Sequence, residues 1–169
     1  VLEAIKNAAR NALEKCIDIS FDFEEGRVIV DFEDDISIPF EHLSDGQRTI
    51  LGLFCDIARR AAILNPHFEG EANKKTNGVV LIDELDLHLH PKWQRTIVSD
   101  LVRTFPNCQF IATTHSPQII SSIYPERINI IKNFDIDHTV KTYGLDINYI
   151  LKFVMEDDDR LDISNKAIE

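Results

Sequence analysis

Val79, Val80, Leu81 and Ile82 form an unbroken apolar run that leads straight into Asp83 and Glu84. A half-buried strand alternates apolar and polar residues, so a short uniform run predicts a strand covered on both faces, as in a parallel sheet. Two adjacent carboxylates at its end repel each other and are costly to desolvate. They lie where the strand reaches its carboxyl edge, which is where open α/β sheets bind ligands. Downstream, Pro91 opens a helix with Trp93, Ile97, Val98, Leu101, Val102 and Phe105 on its inner face. Gln109–Thr114 then reads as a second buried strand, Ser116 and Pro117 as the cap and first residue of another helix, and Arg127–Ile131 as a third core strand. Residues 79–132 therefore predict strand, helix, strand, helix, strand: an α/β segment with parallel pairing.

The residues before this segment have other periods. Residues 1–16 carry apolar side chains at helical spacing, from Leu2 and Ile5 to Leu13 and Cys16. Ile17, Ile19, Phe21 and Phe23 then alternate with polar neighbours, as do Val28, Val30 and Phe32 and then Ile36, Ile38 and Phe40. That is a small antiparallel meander. From Gln47 the helical period returns through Ile50, Leu51, Phe54, Ile57, Ala58, Ala61 and Leu64. The polar stretch 65–78 reads as a loop. Near the other end, 143–155 carries a helical apolar face at Leu145, Ile150, Leu151 and Val154, followed by an acidic tail.

The 169 residues, 44% hydrophobic and 28% charged, suit one globular domain with a real core. No apolar run approaches the roughly 18 residues of a membrane span, and the first residues resemble an amphipathic helix, not a secretory leader. A net charge of −11 argues against a surface built for broad phosphate-backbone binding. Three widely spaced cysteines in apolar patterns predict reduced, packed thiols and a cytoplasmic setting.

Four segments carry candidate chemistry. In LSDGQR, residues 43–48, Ser44 and Gln47 have the spacing of a capping box. Gly46 inside the first turn weakens the helix unless close backbone approach is wanted, which also makes this helix start a candidate phosphate site. Asp83 can hold Mg²⁺ directly or through water, and Glu84, one residue on, suits a base that orients a water. Asp86, His88 and His90 admit a metal reading if the segment is extended, or a packed connection into the Pro91 helix. His115 follows the second strand, either as a donor to a phosphate or as a packing histidine.

Taken in order, LSDGQ, VVLIDE, LDLHLHP and IATTHSP resemble the signature motif, Walker B, D-loop and switch-histidine strand of ABC-type ATPases of the chromosome-maintenance, RecF and OLD-like AAA branch, from about residue 40 to residue 132. Within that branch they look like the PtuA ATPases of Septu and retron-associated anti-phage systems. The resemblance implies a P-loop NTPase-like C-terminal lobe over residues 1–169: a helix and β meander (1–42), a signature, Walker B and switch-histidine core (43–132) and a C-terminal extension (133–169). It further implies ATP and Mg²⁺ as cofactors, with two ATP molecules between the subunits of a head-to-tail homodimer. Ser44, Asp45, Gly46 and Gln47 would serve the partner's nucleotide, Asp83 the Mg²⁺, Glu84 the attacking water, His115 the γ-phosphate and Asp86 the coupling of the two sites. An HNH nuclease partner, and nucleic acid reached through the complex, follow from the same resemblance.

One departure is sharp. None of the six glycines belongs to a G-x-x-x-x-G-K-[ST] sequence, so the phosphate-cradling loop is missing from these 169 residues. The expectation is a C-terminal lobe separated from its P-loop lobe. The alternatives are a non-hydrolysing scaffold for a nuclease and a metal-dependent hydrolase using Asp83, Glu84, Asp86, His88 and His90. The chain by itself is expected to turn over Mg-ATP negligibly, and robust phosphate release by it alone would overturn that expectation.

Overall fold

The structure, a computed structural model, describes residues 1–132 and 135–138. It divides into two compact units, Val1–His90 with Ser99–Thr113, and Pro91–Val98 with the residues from Thr114 onward.

In the first unit, helix α1 (Leu2–Ala12) buries Ala4, Ala8 and Ala9, and helix α2 (Asp45–Leu64) buries a stripe from Ile50 through Phe54 and Ala58 to Ala61. This i, i+4, i+8 spacing gives each helix one inward face. Small side chains let the backbones approach, and Ala4, Ala61 and Ala62 form one buried cluster with Ala72, against which Phe68 packs. The helix expected to run to Cys16 stops earlier. Leu13 is extended and Lys15 has φ 66°, so the chain turns and Cys16 enters the meander while Leu13 and Cys16 both stay buried.

Strands β1 (Cys16–Asp22), β2 (Arg27–Phe32) and β3 (Ile36–Pro39) make the expected antiparallel meander, with Ile19 opposite Val30 and Val30 opposite Ile38. The expected apolar row is covered only in part. Ile19 and Val30 are buried, whereas Ile17, Phe21 and Phe23 are exposed. A bulge between Cys16 and Asp18 breaks the alternation there, and Phe21 and Phe23 meet edge-on, with centroids 5.1 Å apart, at an uncovered end. Lys6 Nζ donates to Asp18 Oδ2 at 2.7 Å, tying α1 to β1.

The stretch expected to be a loop is helical instead: a 3₁₀ segment, Pro66–Glu71, followed by α3 (Ala72–Lys75). Its apolar and amide side chains have inward work to do. Ala72 and Asn73 are buried, and Asn73 Nδ2 donates to Ala4 O at 2.7 Å.

Strands β4 (Gly78–Ile82) and, after helices α4 (Pro91–Gln94) and α5 (Ile97–Thr104), β5 (Cys108–Ala112) pair in parallel, Val79 beside Gln109 and Leu81 beside Ile111. The parallel pairing is as expected, but coverage on both faces is not. Leu81 is 74% exposed, and Val79 and Ile111 are also open. These residues share one face of the sheet by register. The other face carries half-buried Val80, Ile82 and Phe110. Phe110 lies 6.5 Å from Phe105, and Phe105 lies 6.0 Å from Phe54 of α2. This aromatic row is why the second face is covered and the first is not. Cys16, Cys55 and Cys108 are free, and burial pushes the Cys55 thiol up to about 11.

In the second unit α4 is a single turn, closed by Thr96 N donating to Trp93 O at 3.0 Å, so the helix expected from Pro91 begins as two pieces. Helix α6 (Pro117–Ser121) starts at Ser116, as expected. The third strand differs. Strand β6 (Asn129–Lys132) pairs antiparallel with β7 (Asp135–His138), Asn129 opposite His138, not in parallel with the first sheet. Only residues 133 and 134 separate them in the chain, a connection that suits a hairpin and is far too short for a parallel crossover. The helix expected over 143–155 and the acidic tail lie outside the described residues.

Phe105 is fully buried and contacts aromatic rings from both α2 and β5. Phe105→Ala is expected to destabilise the chain by about 3–5 kcal/mol, read as a lowered midpoint in urea denaturation at unchanged slope.

Candidate functional site

The parallel ladder continues past the ends of β4 and β5. Thr113 N donates to Ile82 O at 3.0 Å, and Leu85 N donates to Thr113 O at 2.9 Å. Between those bonds lie Asp83 and Glu84, both exposed. Glu84 N donates to Thr113 Oγ1 at 2.8 Å, and Thr113 Oγ1 donates to Asp83 Oδ1 at 2.5 Å. Glu84 has φ 52°, a left-handed backbone that non-glycine residues seldom adopt. The chain is thereby turned off the strand axis directly after Asp83. Two carboxylates leave the strand end from differently oriented backbone units, in water and not in the core.

The turn continues: Leu87 N donates to Glu84 O at 2.9 Å and Leu89 N to Asp86 O at 3.1 Å. His88 also has positive φ, 61°. Leu85 and Leu89 are buried, whereas Leu87, His88 and His90 are exposed. The segment is folded into turns, so the extended geometry on which a His88–His90 pair of ligands depends is not formed. Among the described residues no three His, Cys, Asp or Glu side chains come together in a way that could hold a metal. The ligand set of the metal-dependent hydrolase reading is therefore not assembled.

The start of α2 is built from neighbours. Gln47 N donates to Ser44 Oγ at 3.3 Å, and Ser44 N donates to Gln47 Oε1 at 3.0 Å, the full capping box. Gly46 is buried inside the first turn, Ser44 is exposed, and Asp45 pairs with Arg48. A carboxylate in a first turn would oppose an incoming anion, and Arg48 offsets that charge. The Ser44 hydroxyl donates to Gln47 Oε1 at 2.9 Å, so what this end offers a phosphate is the backbone N–H groups of the first turn.

In the second unit, Ser116 Oγ accepts from Ile119 N at 3.3 Å and bonds Gln94 Oε1 at 2.8 Å, joining α4 to the start of α6. His115 precedes that cap and is exposed. Hydrogen bonds thus join Asp83, Glu84 and Thr113. Ser44, Asp45, Gly46 and Gln47 form an arrangement of their own, and Asp86 sits within the turn after β4. Thr113 was not among the residues singled out in the sequence. The signal that points to it is register: the residue just past β5 faces the residue just past β4.

The chain belongs to the family described as "AAA domain, putative AbiEii toxin, Type IV TA system", whose model matches residues 4–121. It is 54% identical over 94 residues to the "Retron Vc95 probable ATPase" of Vibrio cholerae serotype O1 biovar El Tor, covering 56% of this chain and 18% of that protein. Over 106 residues it is 48% identical to the "Retron Ec83 probable ATPase" of Escherichia coli, covering 63% of this chain and 19% of that protein. Over 77 residues it is 49% identical to the Septu protein PtuA of Bacillus mycoides (strain KBAB4), covering 46% of this chain and 10% of that protein. The chain thus matches less than a fifth of the length of these relatives. Its fold is similar to that of a solved chain from work on "ATP-driven dimerization and DNA stimulated activation of SMC ATPases", with a TM-score of 0.56 and 15% identity over 92% of this chain and 91% of that one. Among the described residues no helix is long and apolar enough to cross a membrane.

Ser44→Ala removes the hydroxyl that caps α2 and is expected to cost about 1 kcal/mol, whereas Ser44→Asp keeps a cap and should stay within about 0.5 kcal/mol of wild type. Urea denaturation of the two variants checks both values.

Proposed function

We propose that this chain supplies the signature, Walker B and switch-histidine part of an ABC-type ATPase that hydrolyses ATP in a head-to-tail dimer, and that the ATPase serves an anti-phage defence system together with a nuclease. The observation that carries the reading is the exposed Asp83–Glu84 pair just past a parallel strand, held by Thr113. The retron and Septu names of the relatives support the defence setting, and the fold of the SMC-related structure supports the ABC class.

The residues fit the group they would serve. Mg²⁺ is commonly held by one or two carboxylates together with phosphate oxygens and waters, and not by a closed protein cage. Asp83, exposed and with one oxygen taken by Thr113, suits that role. Bound Mg-ATP supplies the phosphoryl group and most of the charge that catalysis must stabilise. Glu84 orients the attacking water and accepts its proton. Ser44, Asp45, Gly46 and Gln47 present the start of α2 to the γ-phosphate held by the partner subunit's P-loop. His115 donates to a γ-phosphate, and Asp86 couples the two sites of the dimer. No P-loop sequence occurs within these 169 residues.

The assembled ATPase carrying Glu84→Gln is expected to bind ATP with affinity within about threefold of wild type and to lose about 10²–10⁴-fold in turnover. ATP binding by calorimetry and phosphate release measure the two separately. Wild-type turnover in that variant refutes the base assignment. Absence of turnover in the wild-type assembly, with the nuclease still bound, favours the scaffold reading.

A further inference from the structure

One residue holds every position from the last residue of β4 to the start of the following turn. Thr113 takes Ile82 by its amide, Leu85 by its carbonyl, and Asp83 and Glu84 by its hydroxyl. The direction of each bond at the hydroxyl is fixed by chemistry. A backbone N–H can only donate, so Oγ1 accepts from Glu84, and its single proton is left for Asp83 Oδ1. One oxygen atom therefore sets the orientation of the Asp83 carboxylate and holds the backbone of Glu84 in the left-handed region, φ 52°.

We propose that Thr113 is a positioning residue for hydrolysis: its hydroxyl fixes the Asp83 carboxylate and the Glu84 backbone together, so that the residue that draws a cation and the residue that orients a water are tied to one common oxygen. This rests on the ATPase reading above. With Oδ1 committed to the hydroxyl, Asp83 offers Oδ2 to a cation. Any pull on Asp83 acts on the hydroxyl that holds the Glu84 amide, so charge arriving at the first carboxylate is felt by the backbone of the second. Thr114, next in the chain, accepts with its Oγ1 from Ser116 N at 3.0 Å at the start of α6. Charge-assisted bonds that orient an acidic group in this way commonly govern metal affinity or turnover by roughly 10–100-fold.

The test compares Thr113→Val, which keeps the shape and removes the hydroxyl, with Thr113→Ser, which keeps the hydroxyl. In the 169-residue chain, amide hydrogen exchange read by NMR should accelerate about tenfold at Glu84 in the valine variant. Leu85, bonded to the Thr113 carbonyl, should stay within about twofold and so serves as an internal control for intact folding. In the ATP-hydrolysing assembly the valine variant should lose about 10–100-fold in kcat with KM for ATP within about threefold, and the serine variant should regain most of the rate. Unchanged exchange at Glu84, unchanged kcat in the valine variant, or equal loss in the serine and valine variants would each overturn the proposal. If the wild-type assembly shows no turnover at all, the ATPase reading fails by itself, and exchange at Glu84 then decides whether the hydroxyl holds the turn.

Discussion

The parallel ladder between Gly78–Ile82 and Cys108–Ala112 is the constraint from which the site follows. Parallel neighbours cannot be joined by a tight turn, so residues 83–107 must leave the carboxyl end of one strand and return to the amino end of the next. The chain is forced to turn sharply just past Ile82, and the first groups it exposes there are Asp83 and Glu84. The same pairing brings the residue after Ala112 alongside that turn. Thr113 is thus in place to hold the Asp83 carboxylate and the Glu84 amide because of the register, before any property of its own side chain is considered.

Coverage of the ladder is one-sided within the described residues. Phe54, Phe105 and Phe110 close one face, while Val79, Leu81 and Ile111 leave the other in water. A uniform apolar run tells a reader that both faces of a strand are compatible with burial; it does not say that both are buried in a given chain. The meander makes the same point. Ile19 and Val30 are covered while Phe21 and Phe23 of the same apolar period are not.

What could be read from the sequence is what depends on near neighbours. The capping box of Ser44 and Gln47 spans three residues, and so does the Ser116 cap, and both were legible. The strands at Val79 and Gln109 were legible as apolar runs, and the left-right alternation gave the meander. The pairing of Asn129–Lys132 was not legible, because an apolar run does not say whether its partner lies across a helix or two residues away. The turn that folds Asp86, His88 and His90 was half-legible: the sequence marked a tight connection before Pro91, but the positive φ at Glu84 accompanies a bond to Thr113, far off in the chain. Thr113 was invisible for the same reason, since the groups it holds lie some thirty positions earlier in the chain.

Adjacent carboxylates at the end of an apolar strand look at first like a conflict between burial and charge. The geometry removes the conflict by separating the two in space. Ile82 is the last residue of β4, Glu84 is already turned into the left-handed region, and both acids are exposed. Neither is desolvated while the site is open to water. Repulsion between them matters only when a ligand covers them and lowers the local dielectric, and at that moment a cation near Asp83 reverses the sign of the local field. On the ATPase reading proposed above, an arrangement that is inexpensive when open and stabilised by a cation favours a metal-bearing anion over a bare one.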